Sequence, residues 1–257
     1  MLNKISLLFK IRFLVLTAVC LSGFSLCAIA APSTPVLVEL FTSEGCSDCP
    51  PADSFLRALD QVQPVSGEEL IVLEEHVDYW DDQGWKDPFS SHAFTVRQSQ
   101  YVERLDQSRG AYTPQMVVDG SESFVGSNRG EAAQAFKKQV AVSKVAIELS
   151  SIHADHGQLS LHVASAASPA KADLFVVVAL DHAESQVVRG ENGGKHLEHV
   201  AIARQITEVG KLKKGEQLSK DVELTVENPQ APHRVVVFLQ QPDGGKILGA
   251  AVSHIPQ

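Results

Sequence analysis

Apolar residues recur along this chain in two rhythms, and the change falls near residue 143. Before it, continuous apolar runs alternate with stretches where apolar residues return every three or four positions. Val36-Leu37-Val38-Glu39-Leu40-Phe41 reads as a strand, ended by the loop Thr42-Ser43-Glu44-Gly45. Pro50 and Pro51 follow where a helix tolerates them, in its first turn, and Phe55, Leu56 and Leu59 form one apolar face. Glu69 to Trp80 reads as a second long strand running into a loop, so strand, helix and strand imply a parallel βαβ unit. A loop from Asp81 to Ser90 precedes a helix from about His92 to Gln107, whose thin apolar stripe is Phe94, Tyr101 and Leu105. Met116-Val117-Val118 is a strand that follows Pro114 and ends in an Asp119-Gly120 turn, with Ser123 to Gly126 returning beside it. Asn128 and Glu131 start a last helix with Ala132, Ala133, Phe136 and Val140 on its apolar face.

From residue 143 onward the pattern becomes a series of short strands. Apolar runs at 145–149, 158–163, 174–180, 200–203, 218–224, 234–239 and 247–252 are separated by turn-forming residues, with no helical stretch between them. That predicts an antiparallel sandwich of the immunoglobulin type. The expected organisation is an α/β domain over 31–142 and a β-sandwich domain over 143–257, abutting with little linker. A length of 257 residues, more than one core usually fills, agrees with two domains.

The first 30 residues follow a different logic. Lys4, Lys10 and Arg12 precede the uncharged run Phe13 to Ala31, which ends in Ala28-Ile29-Ala30. A basic segment, an apolar segment and a small-x-small site read as a secretory signal peptide cleaved after Ala30, which predicts a periplasmic or secreted protein with no stable membrane insertion after cleavage. An uncleaved anchor is the rival reading. Cleavage removes three basic and no acidic residues, leaving 19 Lys and Arg against 31 Asp and Glu. So acidic a surface argues against nucleic acid as a partner. Hydrophobic residues at 44% and charged ones at 21% argue against disorder.

Cleavage also removes Cys20 and Cys27, so Cys46 and Cys49 become the only thiols. The disulfide they would form closes too short a loop to constrain the unfolded chain much, and zinc ordinarily needs a second cysteine pair. A redox role is the stronger reading. Two residues between the cysteines let both sulfurs meet on a first helical turn, where free N–H groups and the helix dipole stabilise a thiolate. Cys46 is the candidate attacking thiolate and Cys49 the resolving thiol. Asp48 and Glu44 oppose that thiolate, which predicts a reductase or isomerase rather than a strong oxidant. His76 and Trp80 end the second strand at the edge where α/β folds place ligands. The alternatives are a copper or zinc carrier using Cys46, Cys49 and His76, and a redox-regulated interaction protein without catalysis.

The Cys46-Ser47-Asp48-Cys49 motif at a strand-to-helix junction, followed by Thr113-Pro114 before a hairpin and a last helix, resembles the thioredoxin superfamily. More narrowly, residues 42–53, His76-Val77-Asp78-Tyr79-Trp80-Asp81 and Gly84-Trp85-Lys86-Asp87-Pro88-Phe89 are similar to a secreted bacterial family of unknown function with a thioredoxin-like fold. The resemblance implies a thioredoxin-like domain before the sandwich, a cis Thr113–Pro114 bond beside the disulfide and a Thr113 backbone that binds substrate chain. It also implies a buried acid, for which Glu39 is the candidate, that takes the proton of the second cysteine. The expectation is an exported thiol–disulfide oxidoreductase acting on protein thiols or disulfides with a redox partner protein, its only redox group the Cys46–Cys49 pair.

Overall fold

A computed structural model describes residues 33–62, 68–105, 108 and 110–256 of the chain. The signal-peptide reading of residues 1–30 lies outside the described residues. The elements run β1 (Thr34–Thr42), α1 (Pro50–Val62), β2 (Glu68–His76), α2 (His92–Leu105), β3 (Gln115–Val118), β4 (Glu122–Val125) and α3 (Arg129–Gln139). There follow β5 (Ile147–Asp155), β6 (Gln158–Ser165), β7 (Ala172–Gln186), β8 (His196–Leu212), β9 (Leu218–Thr225), β10 (His233–Gln240) and β11 (Ile247–His254).

An eight-stranded mixed sheet, ordered β11-β10-β7-β8-β2-β1-β3-β4, carries most of the molecule, and β5-β6-β9 form a second, three-stranded sheet. β1 and β2 pair in parallel over their full length, and β2 also pairs in parallel with β8 at Glu74 and Ile202. The expectation of an α/β thioredoxin-like domain followed by an immunoglobulin-like sandwich is therefore overturned. The strands of the C-terminal half do not close on themselves: β7, β8, β10 and β11 continue the sheet begun by β1 and β2, and only β5-β6-β9 lie in a separate layer. The physical reason is the free edge of β2. An unpaired edge buried against other elements would strand its N–H and C=O groups, and β8 covers this one, pairing with it at Glu74 and Ile202 and donating Val200 N to the Glu74 carboxylate.

Alternation along β1 and β2 sends neighbouring side chains to opposite faces. Val36, Val38, Leu40, Leu70 and Val72 pack with Phe55 and Leu56 of α1 and Phe136 of α3. Leu37, Ile71 and Leu73 pack on the other face with Phe94 of α2 and with Val177, Val236 and Phe238 from β7 and β10. The β10–β11 end of the sheet thus curls back toward its own start, where Ile247 N donates to the Asp119 carbonyl at 3.0 Å. A third cluster, with Leu159, Leu161, Val163 and Val222, fills the space between β5-β6-β9 and the large sheet.

Candidate functional site

Cys46 and Cys49 are joined by a disulfide where β1 passes into α1. The loop is tight because Cys46 N donates to Ser43 O and Cys49 N to Cys46 O, and α1 then starts with Asp53 N donating to Cys49 O at 3.1 Å. Cys46 is only 2% exposed and Cys49 not at all. The sulfur of Cys46 lies 3.7 Å from the Thr113 carbonyl oxygen. A disulfide sulfur has no proton to donate, so this is a contact in the oxidised protein and a hydrogen bond only after reduction.

The Thr113–Pro114 peptide bond is cis, and Pro114 is buried. Trp80 Nε1 donates to Thr113 Oγ1 at 2.8 Å, which fixes Trp80 beside this turn. Gly126 leaves room for the turn, since a Cβ there would come within 2.6 Å of Leu40 Cδ1 and 3.2 Å of Pro114. Cys46, Cys49, Thr113, Pro114 and Trp80 are thus assembled in one place.

Glu39 is buried, but it belongs to the same face of β1 as Leu37 and Phe41. Its carboxylate accepts from Arg97 Nε at 2.6 Å and from the Tyr101 hydroxyl at 2.6 Å, both on α2. In α1 the buried acid is Asp53, one turn after Cys49. Asp53 Oδ1 accepts from Thr42 Oγ1 at 2.7 Å. Burial and the charge of Glu74 raise Asp53 to about 7, against the opposing pull of His199, the Thr42 hydrogen bond and His76.

Behind the motif lies a sealed group of charges. His76 and Glu74 point to this face of β2, with Glu75 sent to the other. His76 Nδ1 is 2.7 Å from Asp87 Oδ2, and His76 Nε2 is 3.4 Å from Glu74 Oε1. His199, carried by β8, has Nδ1 2.6 Å from Glu74 Oε1 and Nε2 3.3 Å from Glu44 Oε1. Glu74 Oε2 accepts from Val200 N at 2.9 Å, Glu44 Oε2 from Trp85 Nε1 at 2.6 Å, and Asp87 Oδ2 also from Glu44 N at 2.8 Å. Burial opposes protonation of both histidines, yet Asp87 outweighs it at His76, raised to about 9, and Glu74 does so at His199, raised to about 11. Glu74 itself falls to about 2, since the attraction and hydrogen bond of His199 overcome its burial.

The loop between β7 and β8 closes over the motif. Asn192 Nδ2 donates to both the Glu44 and Cys46 carbonyls at 2.8 Å, and Glu191 Oε2 accepts from Ser47 N at 3.1 Å. Sequence reasoning names Glu44 only as a charge opposing the thiolate and does not place Asp53, Glu74, Asp87, Asn192 or His199 in the site. A signal was present for Glu74: a charged residue inside an apolar run destined for a two-sided parallel strand has no route to water. For Asn192 and His199 no local signal exists, because a pairing 120 or more positions away brings them in.

The protein family described as "Protein of unknown function (DUF1223)" matches residues 37–240. No thioredoxin family matches, so the resemblance to that superfamily, and to a family with its fold, is corrected to DUF1223 and a largely β mixed sheet. No curated protein matches the chain. Among solved structures, a structural-genomics protein from Agrobacterium tumefaciens is similar with 26% identity and a TM-score of 0.67, over 87% of this chain and 95% of that one. A β-glucosidase from Kluyveromyces marxianus matches at 13% identity and a TM-score of 0.25, over 62% of this chain and 17% of that one. The same enzyme in complex with glucose matches at 12% and 0.23, over 45% and 14%.

Proposed function

Because the chain belongs to the DUF1223 family, whose function is unknown, we propose a role from its own site: an exported thiol–disulfide oxidoreductase acting on protein thiols or disulfides. The observation that carries this reading is the placement of Asp53. Asp53 begins one helical turn after Cys49, its amide donating to the Cys49 carbonyl, and carries a buried carboxyl raised to about 7; in this reading it takes the thiol proton as the resolving sulfur attacks.

In the reduced protein, Cys46 thiolate attacks a partner disulfide, forms a mixed disulfide and expels one partner thiolate. Cys49, its proton passed to Asp53, attacks Cys46 Sγ, expels the second partner thiolate and forms the Cys46–Cys49 bond. Two electrons move from the pair to the partner, and a dithiol redox protein returns them. Glu191 on the Ser47 amide adds a carboxylate beside Asp48, and both oppose a thiolate at Cys46. That supports a reducing rather than a strongly oxidising couple.

A Cys49→Ser variant in periplasmic extract should accumulate mixed disulfides through Cys46, and the wild type supplied with a dithiol should reduce insulin while Cys46→Ser does not. Absence of both trapping and turnover overturns the enzyme reading. The 2% exposure of Cys46 favours a second one, a redox-regulated interaction module, which predicts partner binding that depends on the disulfide without turnover.

A further inference from the structure

We propose that Glu74, His76 and His199 hold a divalent metal ion of the zinc class in the buried layer behind the disulfide. These three residues each offer a ligand atom, all within 4.8 Å of one another, and all three are buried. The set of two imidazoles and one carboxylate is a known zinc donor set.

The strongest observation is His76 Nε2. It is buried with no hydrogen-bond partner among the described residues, its nearest charged neighbour being Glu74 Oε1 at an ion-pair distance of 3.4 Å. That separation is long for a hydrogen bond between such groups. It is the separation expected of two donors on one tetrahedral ion, since bonds of about 2.0–2.1 Å place ligand atoms roughly 3.3 Å apart. His199 Nδ1 approaches the same carboxylate oxygen at 2.6 Å; that contact would widen and both imidazoles would release a proton to solvent as the ion takes their place.

The surrounding atoms form the outer shell that such a site requires, in which each ligand is oriented by a second polar group. Asp87 Oδ2 holds His76 Nδ1 at 2.7 Å, leaving Nε2 as the ligating nitrogen. Glu44 Oε1 faces His199 Nε2 at 3.3 Å as an ion pair, which sets that ring with Nδ1 toward Glu74. Val200 N holds the remaining oxygen of Glu74. One ion thus gives His76 Nε2 a partner and gives the paired orientations of both rings a purpose. The cysteines are not in this set, because they are bonded to each other. The proposal does not depend on the redox reading.

The test uses the full chain, purified without a histidine tag, stripped by chelator under denaturing conditions and refolded with Zn²⁺ or Co²⁺. One zinc ion per chain should remain after desalting, and should also remain in a Cys46→Ser, Cys49→Ser double variant. His76→Gln and His199→Gln should weaken zinc binding at least tenfold. Should those variants fail to fold, Co²⁺ in the wild type decides: visible d–d bands of a nitrogen and oxygen site, with no thiolate charge-transfer band, are expected. Zinc well below one ion per chain, loss of zinc in the cysteine variant, or a thiolate band each overturns the proposal.

Discussion

Arg97 and Glu39 form an ion pair sealed inside the protein. Arg97 Nε donates to Glu39 Oε1 at 2.6 Å, while Arg97 Nη1 reaches Gln240 Oε1 at 3.0 Å and Nη2 the Tyr101 hydroxyl at 2.8 Å. Arg97 faces a second buried acid as well, since Glu75 Oε1 lies 3.5 Å from its Nε. Burial and Glu39 push Glu75 well above its ordinary range, with Arg97 pulling the other way. Arg97→Met removes the cation and leaves Glu39 buried without it, so a loss of about 3–5 kcal/mol is expected. The midpoint of urea unfolding measures it, and a loss below about 1 kcal/mol would show that this network is not holding α2 to the sheet.

Asn192→Ala should act on the disulfide rather than only on stability. The Asn192 amide caps two buried carbonyls, those of Glu44 and Cys46, and its loss leaves both without that donor at a cost of about 1–3 kcal/mol. It also loosens the cover of a motif that is otherwise closed. Reduction of Cys46–Cys49 by dithiothreitol should be several-fold faster in the variant, followed by thiol titration, and an unchanged rate would mean that access is governed elsewhere.

Asp53 gives stability a definite pH dependence. Its folded pKa of about 7 lies above the ordinary 3.8, so the folded protein binds more protons than the unfolded chain between those values. Stability therefore falls as pH rises through this window, by up to about 1.4 kcal/mol per pH unit, and the penalty is fully present above pH 7. Asp53 is faced by Thr42, Glu74, His199 and His76. Asp53→Asn keeps an acceptor for Thr42 and removes the titration. Compared in the oxidised protein, where the cysteines do not titrate, the variant should gain on the wild type steadily from pH 4.5 to 7.5. A constant difference would place the sensitive group elsewhere.

Gly249 lets β11 pass against the chain leading into β5. A Cβ there would lie 2.1 Å from the Val145 carbonyl oxygen, which is backbone and has no rotamer to escape into. Val145 N also donates to Leu248 O at 2.7 Å, so the two segments are tied at the point of collision. Gly249→Ala should cost about 3 kcal/mol through this overpacking, read as a fall in Tm of roughly 6–12 °C. A smaller change would mean that the β5 approach is free to shift.

Local patterns in the sequence carried the elements well and their assembly poorly. The βαβ start, the two later helices and the hairpin after Pro114 lie where apolar periodicity places them, and all seven strands beyond residue 143 overlap their apolar runs, although β5, β7 and β8 extend well past them. A run of short strands without helices fits a separate sandwich and a sheet extension equally, because period-2 alternation says which face is buried and not which strand is next. The joint between β2 and β8 rests on a single pair, Glu74 with Ile202, that no local pattern announces. In the same way the dithiol was legible from Cys46 and Cys49, whereas its surroundings were not. Glu39 stands on the face of its strand turned to Arg97, and Asp53, a second buried acid, follows Cys49 by one helical turn.

Cys46 and Asn192 are 146 residues apart, and the wall behind the motif is completed by His199. Synthesis from the N-terminus delivers the two thiols long before either of these residues exists. A nascent or truncated chain that ends before the β7–β8 loop carries an uncovered dithiol, open to whatever oxidant or thiol it meets. The finished protein acquires its guarded disulfide only when the last third of the sheet has docked, so complete folding is itself the step that separates uncontrolled from controlled thiol chemistry.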